Sequence, residues 1–406
     1  MEKHIWIINE YAGSIENGMT YRHYYLAKEL INKGYNTTII TGSYSHFLKK
    51  YPKLDKREKY KEERINGVNY LWVKVMKYNE SFDKKRILKW FQFVYKLFFV
   101  SKYISNKPSY IICSPTAPFS ILSSLFLARK HKAKLIFEVR DIWPLTLIEL
   151  GGYKKQHPFI VFMSYFEKLA LKKADILVSN LQNYSSHIKN LGLNRKVHWV
   201  SNGVDLTEMD KHKPLSNELL NKIPKNKFIV GYTGKLGVSN ALDDFIEAAR
   251  LLKNNENIIF VLVGKGQEKE KLQEANLRNV LFIDFIKKNQ IQSMLSLFDI
   301  CYIGYRKEKL YEYGVSPNKI FDYMLSGKPI IFGVESGGLN IIEKANCGKV
   351  ILPENAKAIV KAILSLYNMG ENERNELGNN GKNYVVNNFT YGKLADKYIN
   401  IINEKE

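Results

Sequence analysis

The sequence predicts an α/β protein with two domains, each built on a parallel β-sheet. Its 406 residues are too many for one ordinary hydrophobic core. Apolar segments with strand character alternate with amphipathic helical segments along most of the chain. The alternation stops at a polar stretch near the middle and then restarts. We therefore divide the chain into domains 1–204 and 227–382, a linker 205–226, and a C-terminal helix 383–406 that crosses back to the first domain.

The first domain opens with a β-α-β unit. HIWIINE has the pattern of a strand, MTYRHYYLAKELINKGY that of an amphipathic helix, and NTTIITG that of the next strand. Such a unit implies parallel strands joined by a right-handed crossover. Residues 49–63 are highly charged and are expected to form a loop without strands. Further strands are predicted at VNYLWVKV, YIICSP, KLIFEVRDIW, ADILVSN and VHWVSN.

The second domain repeats this architecture but not its sequence. Its predicted strands are FIVGYTG, IIFVLVG, VLFIDF, DICYIGY, IIFGV and GKVIL. In open parallel sheets, ligands bind beyond the carboxyl ends of the strands, where the strand order reverses. We therefore expect the chemistry of both domains in the loops that follow their strands.

Positive charge is concentrated in the first half of the chain. Residues 1–200 contain 34 lysines and arginines against 15 acids, whereas the remainder contains 28 against 25. The imbalance indicates an anionic partner such as a membrane surface, a nucleic acid or a phosphorylated substrate, or else a solvated lysine-rich surface. No nucleic-acid recognition motif is visible. The apolar, lysine-containing helix at 86–104 fits either a membrane interface or the protein core.

Other compositional features narrow the class of protein. The three cysteines lie far apart in apolar surroundings, which favours buried free thiols in a reducing compartment. The chain opens with a predicted strand and not with the pattern of a signal peptide. It contains no uncharged run of about 18 residues, so we expect no membrane span. The histidines are scattered without metal-ligand spacing, so we expect neither a metal nor a cofactor.

The stretch GVSPNKIFDYMLSGKP, from Gly314 onward, carries the strongest site pattern. Ser316 suits the N-cap of a helix and Pro317 its first helical position. Lys319 and Asp322 are three residues apart and therefore share one face of that helix. A helix N-terminus, a cation and an acid together fit a sugar nucleotide, whose diphosphate adjoins a ribose diol. The alternative is an ordinary surface helix.

Two loops add candidate residues. GYTGKLG follows the first strand of the second domain, and its Gly234 and Lys235 suit an approaching phosphate, or form a simple turn. EVRDIWP places Glu138, Arg140 and Asp141 at a strand end in the first domain. That trio suits recognition of a substrate hydroxyl or phosphate, or forms a salt bridge.

Together, five stretches resemble the retaining glycosyltransferases of family 4, whose GT-B fold has two Rossmann-like domains with parallel sheets facing across a cleft. The closest resemblance is to amino-sugar transferases of bacterial O-antigen, capsule and colanic acid assembly, such as N-acetylfucosaminyl transferases. The stretches follow the family's order along nearly the whole chain. They are NGMTYRHYYLAKELINKGYNTTIIT, FEVRDIWPLTLIELG, GYTGKLGVSNALDDFIEAA, IIFVLVGKGQEKEKL and GVSPNKIFDYMLSGKPII.

The resemblance implies roles for particular residues. Asp322 matches the family acid that binds the nucleotide ribose, whereas Gly314 stands where the family has a glutamate. Lys235 matches the first member of a basic pair for the diphosphate. Asn240 stands in place of the second member, and Lys319 is expected to supply the missing charge.

The resemblance also assigns residues outside that helix. Gly18 matches a glycine loop of the acceptor domain, Arg140 occupies the position of a family histidine near the transferred sugar, and Phe285 follows the strand whose loop holds the base. The predicted donor-binding residues are Gly18, Gly234, Lys235, Asn240, Phe285, Ser316, Pro317, Asn318, Lys319 and Asp322; the catalytic residues are Arg140, Asp141, Lys235 and Lys319; the acceptor-binding residues are Arg22, His23 and Glu138.

The implied activity is metal-independent sugar transfer with retention at the anomeric carbon. The donor would be a UDP-sugar, with an N-acetylated amino sugar as the transferred group. The acceptor would be a polyprenyl-diphosphate-linked saccharide at the cytoplasmic face of an anionic membrane, with no nucleic-acid partner. The alternatives are a GT-B sugar-nucleotide epimerase and a basic protein that binds nucleic acid or membrane.

Overall fold

The chain folds into two α/β units. The computed structural model describes residues 3–404 except 19, 46, 47, 49, 80–82, 209–211, 338 and 339. Unit 1 comprises Met1–Ser201 and Tyr391–Glu406, and unit 2 comprises Asn202–Thr390.

Unit 1 is built on an eight-stranded sheet. Its strands are β1 (His4–Ile8), β2 (Asn36–Gly42), β3 (Tyr60–Ile65), β4 (Val68–Val73), β5 (Tyr110–Cys113), β6 (Lys134–Val139), β7 (Ile176–Ser179) and β8 (Val197–Trp199). The strand order is β3-β4-β2-β1-β5-β6-β7-β8, and every neighbouring pair is parallel except β3 and β4. The order therefore reverses between β1 and β5. The helices are α1 (Arg22–Asn32), α2 (Lys85–Leu97), α3 (Ile121–His131), α4 (Leu145–Glu149), α5 (Pro158–Lys173) and α6 (Tyr184–Asn190).

Unit 2 has a six-stranded, wholly parallel sheet. Its strands are β9 (Phe228–Thr233), β10 (Ile258–Val263), β11 (Val280–Ile283), β12 (Ile300–Gly304), β13 (Ile330–Gly333) and β14 (Gly348–Ile351). The order is β11-β10-β9-β12-β13-β14, so it reverses between β9 and β12. The helices are α7 (Asn217–Lys222), α8 (Leu242–Leu251), α9 (Lys269–Gln273), α10 (Ile291–Leu295), α11 (Asn318–Leu325), α12 (Ile341–Lys344), α13 (Ala356–Tyr367) and α14 (Glu371–Asn388).

The hydrophobic core of unit 2 lies between its sheet and the helices α8 and α13. Every residue of β9 is buried, as expected for a central parallel strand. The ring of Phe245 on α8 stacks on Tyr302 of β12 at 4.5 Å between centroids. This packing fixes β9, and with it the loop after β9 at the point where the strand order reverses.

A final helix, α15 (Tyr391–Asn403), belongs to unit 1. Tyr391 stacks on Tyr25 of α1 with ring centroids 4.9 Å apart, and Lys33 forms an ion pair with Asp396 at 2.7 Å. The helix that precedes it, α14, stays in unit 2. The change of unit therefore falls at residue 391 and not at 383.

Two expectations about loops are wrong. Residues 60–65 form strand β3, whose four middle residues alternate between half-buried and exposed positions and which pairs antiparallel with β4 at the sheet edge. The predicted linker is part of unit 2. It contains helix α7, whose N-cap Ser216 accepts from the Leu219 amide at 3.3 Å, and Ser293 donates to the Lys213 carbonyl at 2.8 Å. The three cysteines are buried and unpaired, as predicted.

Candidate active site

Two glycine loops meet at the carboxyl ends of β9 and β10. The Gly234 amide donates to the Val263 carbonyl at 2.9 Å. A Cβ atom at Gly264 would lie 1.9 Å from the Gly234 carbonyl oxygen, and Gly264 has a φ of +150°. Only glycine permits this approach. The contact holds the backbone of the two loops close together beside the point where the strand order reverses.

Lys319 of α11 reaches this loop. Its ammonium donates to the Tyr232 hydroxyl at 2.7 Å and to Asn240 Oδ1 at 3.2 Å, and it lies 4.0 Å from the centroid of the Tyr232 ring. Burial of the ammonium lowers the pKa of Lys319 to about 7. Among the described residues, no carboxylate pairs with it. The site therefore holds a cation that lacks a protein counter-ion.

Asn240 and Tyr232 connect that cation to the glycine loop. The Asn240 amide and the Tyr232 hydroxyl both donate to the Lys235 carbonyl, at 3.1 and 2.7 Å. The Lys235 side chain is exposed. A Cβ atom at Gly234 would stand 3.0 Å from the Lys319 Nζ. The structure thus brings together Gly234, Lys235, Asn240 and Lys319, as the sequence predicts for a phosphate site.

The start of α11 differs from the prediction. The helix begins at Asn318, so Pro317 occupies the N-cap in an extended conformation, and within the described chain no side chain caps the helix. Ser316 is not the cap, because its hydroxyl accepts from the Asn202 amide at 3.1 Å. The Asn202 side-chain amide also donates to the Ser316 carbonyl at 2.6 Å. Gly327 follows the end of the helix with a φ of +69°, and a glycine in this left-handed conformation stops the helix.

Asp322 and Phe285 complete the predicted donor residues of unit 2. Asp322 lies one turn beyond Lys319, and its Oδ1 accepts from Lys288 at 2.6 Å. The Phe285 side chain is exposed, and the ammonium of Lys265 lies 5.3 Å from its ring centroid. A carboxylate suits the hydroxyls of a ribose, and an exposed aromatic ring suits a base.

In unit 1, Glu138 forms the centre of a buried polar network. Its Oε1 accepts from Arg22 Nη2 at 2.7 Å and from the Tyr398 hydroxyl of α15. Its Oε2 accepts from the Ser114 hydroxyl and lies 3.3 Å from His23 Nε2. These side chains are all buried. The prediction that Arg22, His23 and Glu138 contact the acceptor stays a prediction; the structure shows that their side chains are buried and that Glu138 joins β6 to α15.

The charges in this network are fixed by their surroundings. Burial alone would raise the pKa of Glu138, but Arg22 and the hydrogen bond from His23 hold that pKa well below its usual range. Burial lowers the pKa of His23 to about 4. Glu138 is therefore ionised and His23 neutral near pH 7, so the network contains one carboxylate paired with the Arg22 guanidinium.

The remaining predicted residues lie elsewhere in unit 1. Asp141 is exposed just after β6, and Arg140 is half-buried beside it. Among the described residues, Arg140 Nε has no hydrogen-bond partner. Gly18 has a φ of +87° in the loop before α1, where its amide donates to the Ser14 carbonyl at 2.9 Å. Gly18, Arg140 and Asp141 thus belong to a different unit from the Lys319 site.

Sequence reasoning missed three partners of the site residues. Tyr232 lies in a predicted buried strand, where a tyrosine hydroxyl needs a hydrogen-bond partner. Lys288 precedes α10 and carries no motif. Tyr398 lies 260 residues from the glutamate that it contacts. Of these three residues, only Tyr232 could have been identified as a partner from the sequence.

Among the residues that the structure describes, no three His, Cys, Asp or Glu side chains are grouped to hold a metal ion. Within the same residues, no helix combines the length and apolarity that crossing a bilayer requires.

Two family models match the chain. The model described as Glycosyltransferase Family 4 matches residues 17–208, and that described as Glycosyl transferases group 1 matches residues 220–384. The chain belongs to the family 4/group 1 glycosyltransferases. The resemblance drawn from the five sequence stretches is thereby confirmed.

Relatives with curated names agree with this assignment. The chain is 23% identical over 302 residues to an uncharacterized glycosyltransferase of Methanocaldococcus jannaschii, which covers 71% of this chain and 73% of the relative. It is 25% identical over 247 residues to the putative colanic acid biosynthesis glycosyl transferase WcaI of Escherichia coli, with 57% and 58% covered. The capsular polysaccharide biosynthesis glycosyltransferase CapM of Staphylococcus aureus is 19% identical, with 74% and 79% covered.

Solved structures show the fold of this glycosyltransferase. Sucrose-phosphate synthase from Thermosynechococcus elongatus superposes with a TM-score of 0.74 at 16% identity, covering 98% of both chains. The Escherichia coli trehalose-6-phosphate structure bound with UDP-2-fluoro glucose gives 0.73 at 10% identity, covering both chains completely. Anabaena HepE in complex with UDP and glucose gives 0.66 at 12% identity, covering 99% of this chain and 100% of its own. The predicted GT-B fold with two Rossmann-like domains is confirmed.

Proposed function

We propose that this glycosyltransferase moves a sugar from a UDP-sugar to a polyprenyl-diphosphate-linked saccharide, with retention at the anomeric carbon. Unit 2 binds the donor and unit 1 the acceptor. The observation that carries the proposal is the Lys319 ammonium, which lies beside the Gly234 loop and, among the described residues, pairs with no carboxylate. A diphosphate supplies the charge that this cation lacks.

Similar proteins and solved structures of the same fold support the choice of product and of nucleotide base. WcaI and CapM are named for colanic acid and capsular polysaccharide biosynthesis, which favours a surface polysaccharide as the product. Two structures of the same fold contain UDP or a UDP-sugar, which favours uridine as the base. By resemblance to the amino-sugar subgroup, we further propose an N-acetylated amino sugar as the transferred group.

The donor residues have distinct parts in this mechanism. Lys319, beside the Gly234 loop, and Lys235, within it, would stabilise the charge that develops on the departing diphosphate, together with the N-terminus of α11. Asp322 would accept hydrogen bonds from the ribose hydroxyls while its Oδ1 accepts from the Lys288 ammonium. The Phe285 ring would stack on the base.

The transfer itself needs no protein nucleophile. The bond from the anomeric carbon to the diphosphate oxygen breaks, and the acceptor oxygen forms its bond on the same face. The proton of the acceptor hydroxyl passes to the leaving diphosphate. Arg140, whose Nε lacks a partner among the described residues, and Asp141 would orient the transferred sugar. Contact with an anionic membrane would bring unit 1 to its lipid-linked acceptor.

Thermal-shift binding against a panel of nucleotides and nucleotide sugars tests the donor site. We expect a UDP-sugar to raise the Tm of the wild-type chain, and Lys319→Ala to reduce that shift strongly. Lys361→Ala, an exposed lysine on α13, is the matched control and should respond like wild type. If no nucleotide raises the Tm of the wild type, the donor-site assignment is wrong.

Product analysis separates transfer from epimerisation, which the fold also supports. With a UDP-sugar and a lipid-linked saccharide extract, the transferase should release UDP and lengthen the saccharide with an unchanged anomeric configuration, as measured by NMR. Formation of an epimeric UDP-sugar without any acceptor would contradict the proposal.

A further inference from the structure

Exposed apolar side chains are concentrated on one part of unit 1. Among the described residues, twelve of the nineteen exposed large apolar side chains lie between residues 88 and 165. Most of them project from α2, α3 and α5. We define the three-helix face by six of these residues, namely Leu88, Phe91, Tyr95, Phe126, Phe162 and Tyr165.

Ring contacts make this face continuous. The rings of Phe91 on α2 and Phe162 on α5 lie 6.3 Å apart, and both contact the buried Phe119, at 4.8 and 5.6 Å. Phe98, just after α2, contacts Phe126 of α3 at 5.2 Å. These spacings are typical of packed aromatic pairs. The three helices therefore present one joined apolar surface instead of scattered exposed residues.

The sequence of helix α2 fits either a membrane interface or the protein core, and the structure shows how one helix can serve both. Trp90, Phe93 and Leu97 are buried against the sheet, whereas Leu88 and Tyr95 remain 58% and 65% exposed. One side of the helix thus belongs to the core and the other to the three-helix face. Membrane contact and core packing are both compatible with this single helix.

The same region is strongly cationic. Residues 84–173 contain 17 lysines and arginines but only four acids. Two of the acids are buried and bonded internally, since Glu138 pairs with Arg22 and Glu167 pairs with His187. Exposed lysines lie at the start of α2 and along α5, among them Lys84, Lys85, Lys168 and Lys172. The apolar face therefore has cations beside it and few exposed acids.

We propose that the three-helix face is the surface on which this protein docks onto an anionic lipid bilayer. The aromatic and leucine side chains enter the boundary between headgroups and acyl chains, and the lysines contact the headgroup phosphates. A nucleic acid would also use the charge, but it would gain nothing from the exposed side chain of Leu88. This proposal rests on the membrane contact in the proposed function and specifies the surface that makes it. That surface includes α3 and α5 as well as α2.

Vesicle sedimentation with the full chain tests this surface. The probes are vesicles of phosphatidylcholine alone and of phosphatidylcholine mixed with phosphatidylglycerol, without nucleotide or acceptor. We expect stronger binding to the anionic vesicles, and at least about a tenfold lower partition coefficient for the double variant F162S/Y165S, because it removes apolar burial. The control L251S/L352S changes two exposed leucines of unit 2 and should bind like wild type.

Several outcomes would overturn the docking surface. The proposal is wrong if F162S/Y165S partitions like wild type, or if the wild type binds RNA but neither vesicle. It is also wrong if the wild type forms a lipid-free dimer that F162S/Y165S dissociates in sedimentation velocity. Nucleotide binding is measured separately, so vesicle binding without nucleotide binding would overturn only the donor site, and the reverse result only the docking surface.

Discussion

The Lys319 ammonium lies 2.7 Å from the hydroxyl of Tyr232, which precedes it by 87 residues. The tyrosine hydroxyl in turn donates to the Lys235 carbonyl, so one chain of hydrogen bonds runs from α11 into the glycine loop. This chain positions a cation without neutralising it. Its protonation state should therefore respond to a ligand.

We predict that binding of UDP takes up a proton near neutral pH. Burial lowers the pKa of Lys319 to about 7, so the free protein holds a partly neutral amine there. A diphosphate beside it favours the ammonium and raises that pKa. The affinity for UDP should be highest below about pH 7 and should fall as the pH rises above it. Calorimetry in buffers of different ionisation enthalpy measures the proton uptake.

The pH dependence of the free energy of unfolding gives an independent check on the lowered pKa of Lys319. Because the folded-state pKa lies below the ordinary 10.5, the folded protein binds fewer protons than the unfolded chain between these values. Lys319 therefore destabilises the fold at low pH, and the penalty fades as the pH rises. Lys319→Met should raise the free energy of unfolding by about 2 kcal/mol near pH 6 and have little effect near pH 10. A pH-independent effect would contradict the lowered pKa.

The second prediction compares two glycines of the same region. Gly264→Ala places a methyl group 1.9 Å from the Gly234 carbonyl oxygen at a φ of +150°, so the two loops must separate. We expect a loss of about 3 kcal/mol in stability and the loss of detectable UDP binding. Gly237→Ala meets only the flexible Lys235 side chain, at 3.4 Å, and should stay near wild type. Urea unfolding and UDP titration of both variants check this; equal behaviour would contradict it.

The third prediction concerns the attachment of α15. Tyr398→Phe removes the hydroxyl that donates to Glu138 and leaves the buried carboxylate with one donor fewer. We expect unit 1 to lose about 1–3 kcal/mol of stability. Tyr153→Phe, at an exposed tyrosine, is the control. Glu138→Gln should cost more, about 3–5 kcal/mol, because Arg22 then remains buried without its counter-ion. Urea unfolding followed by unit 1 fluorescence measures the order of these effects.

The parts of the fold with strong periodicity were predictable. Parallel strands buried on both faces read as apolar runs, so β9, β10 and β13 are visible in the sequence. β3 was missed because an edge strand with one exposed face resembles a charged loop. The boundary inside the predicted linker was missed because α7 has six residues, too few to show a period.

The site was predictable where a residue follows a local pattern. Lys319 and the Gly234 loop could be found because each lies in a short motif at a strand or helix end. The role of Glu138 could not, since whether a strand-end acid faces a ligand or a buried arginine depends on contacts made by distant residues. Ser316 shows the same limit, because its hydroxyl is used by Asn202 and not by the helix that it precedes.

The discontinuity of unit 1 has a consequence for biosynthesis. Roughly 190 residues of unit 2 are translated between Ser201 and Tyr391, which takes about 10–40 s at ordinary rates of elongation. Throughout that interval Glu138 lacks the hydroxyl of Tyr398, and Tyr25 lacks the ring of Tyr391. The contiguous unit 2 can emerge from the ribosome and fold first. The unit that is synthesised first is therefore completed last, and its unfinished surface is what a nascent-chain chaperone would encounter.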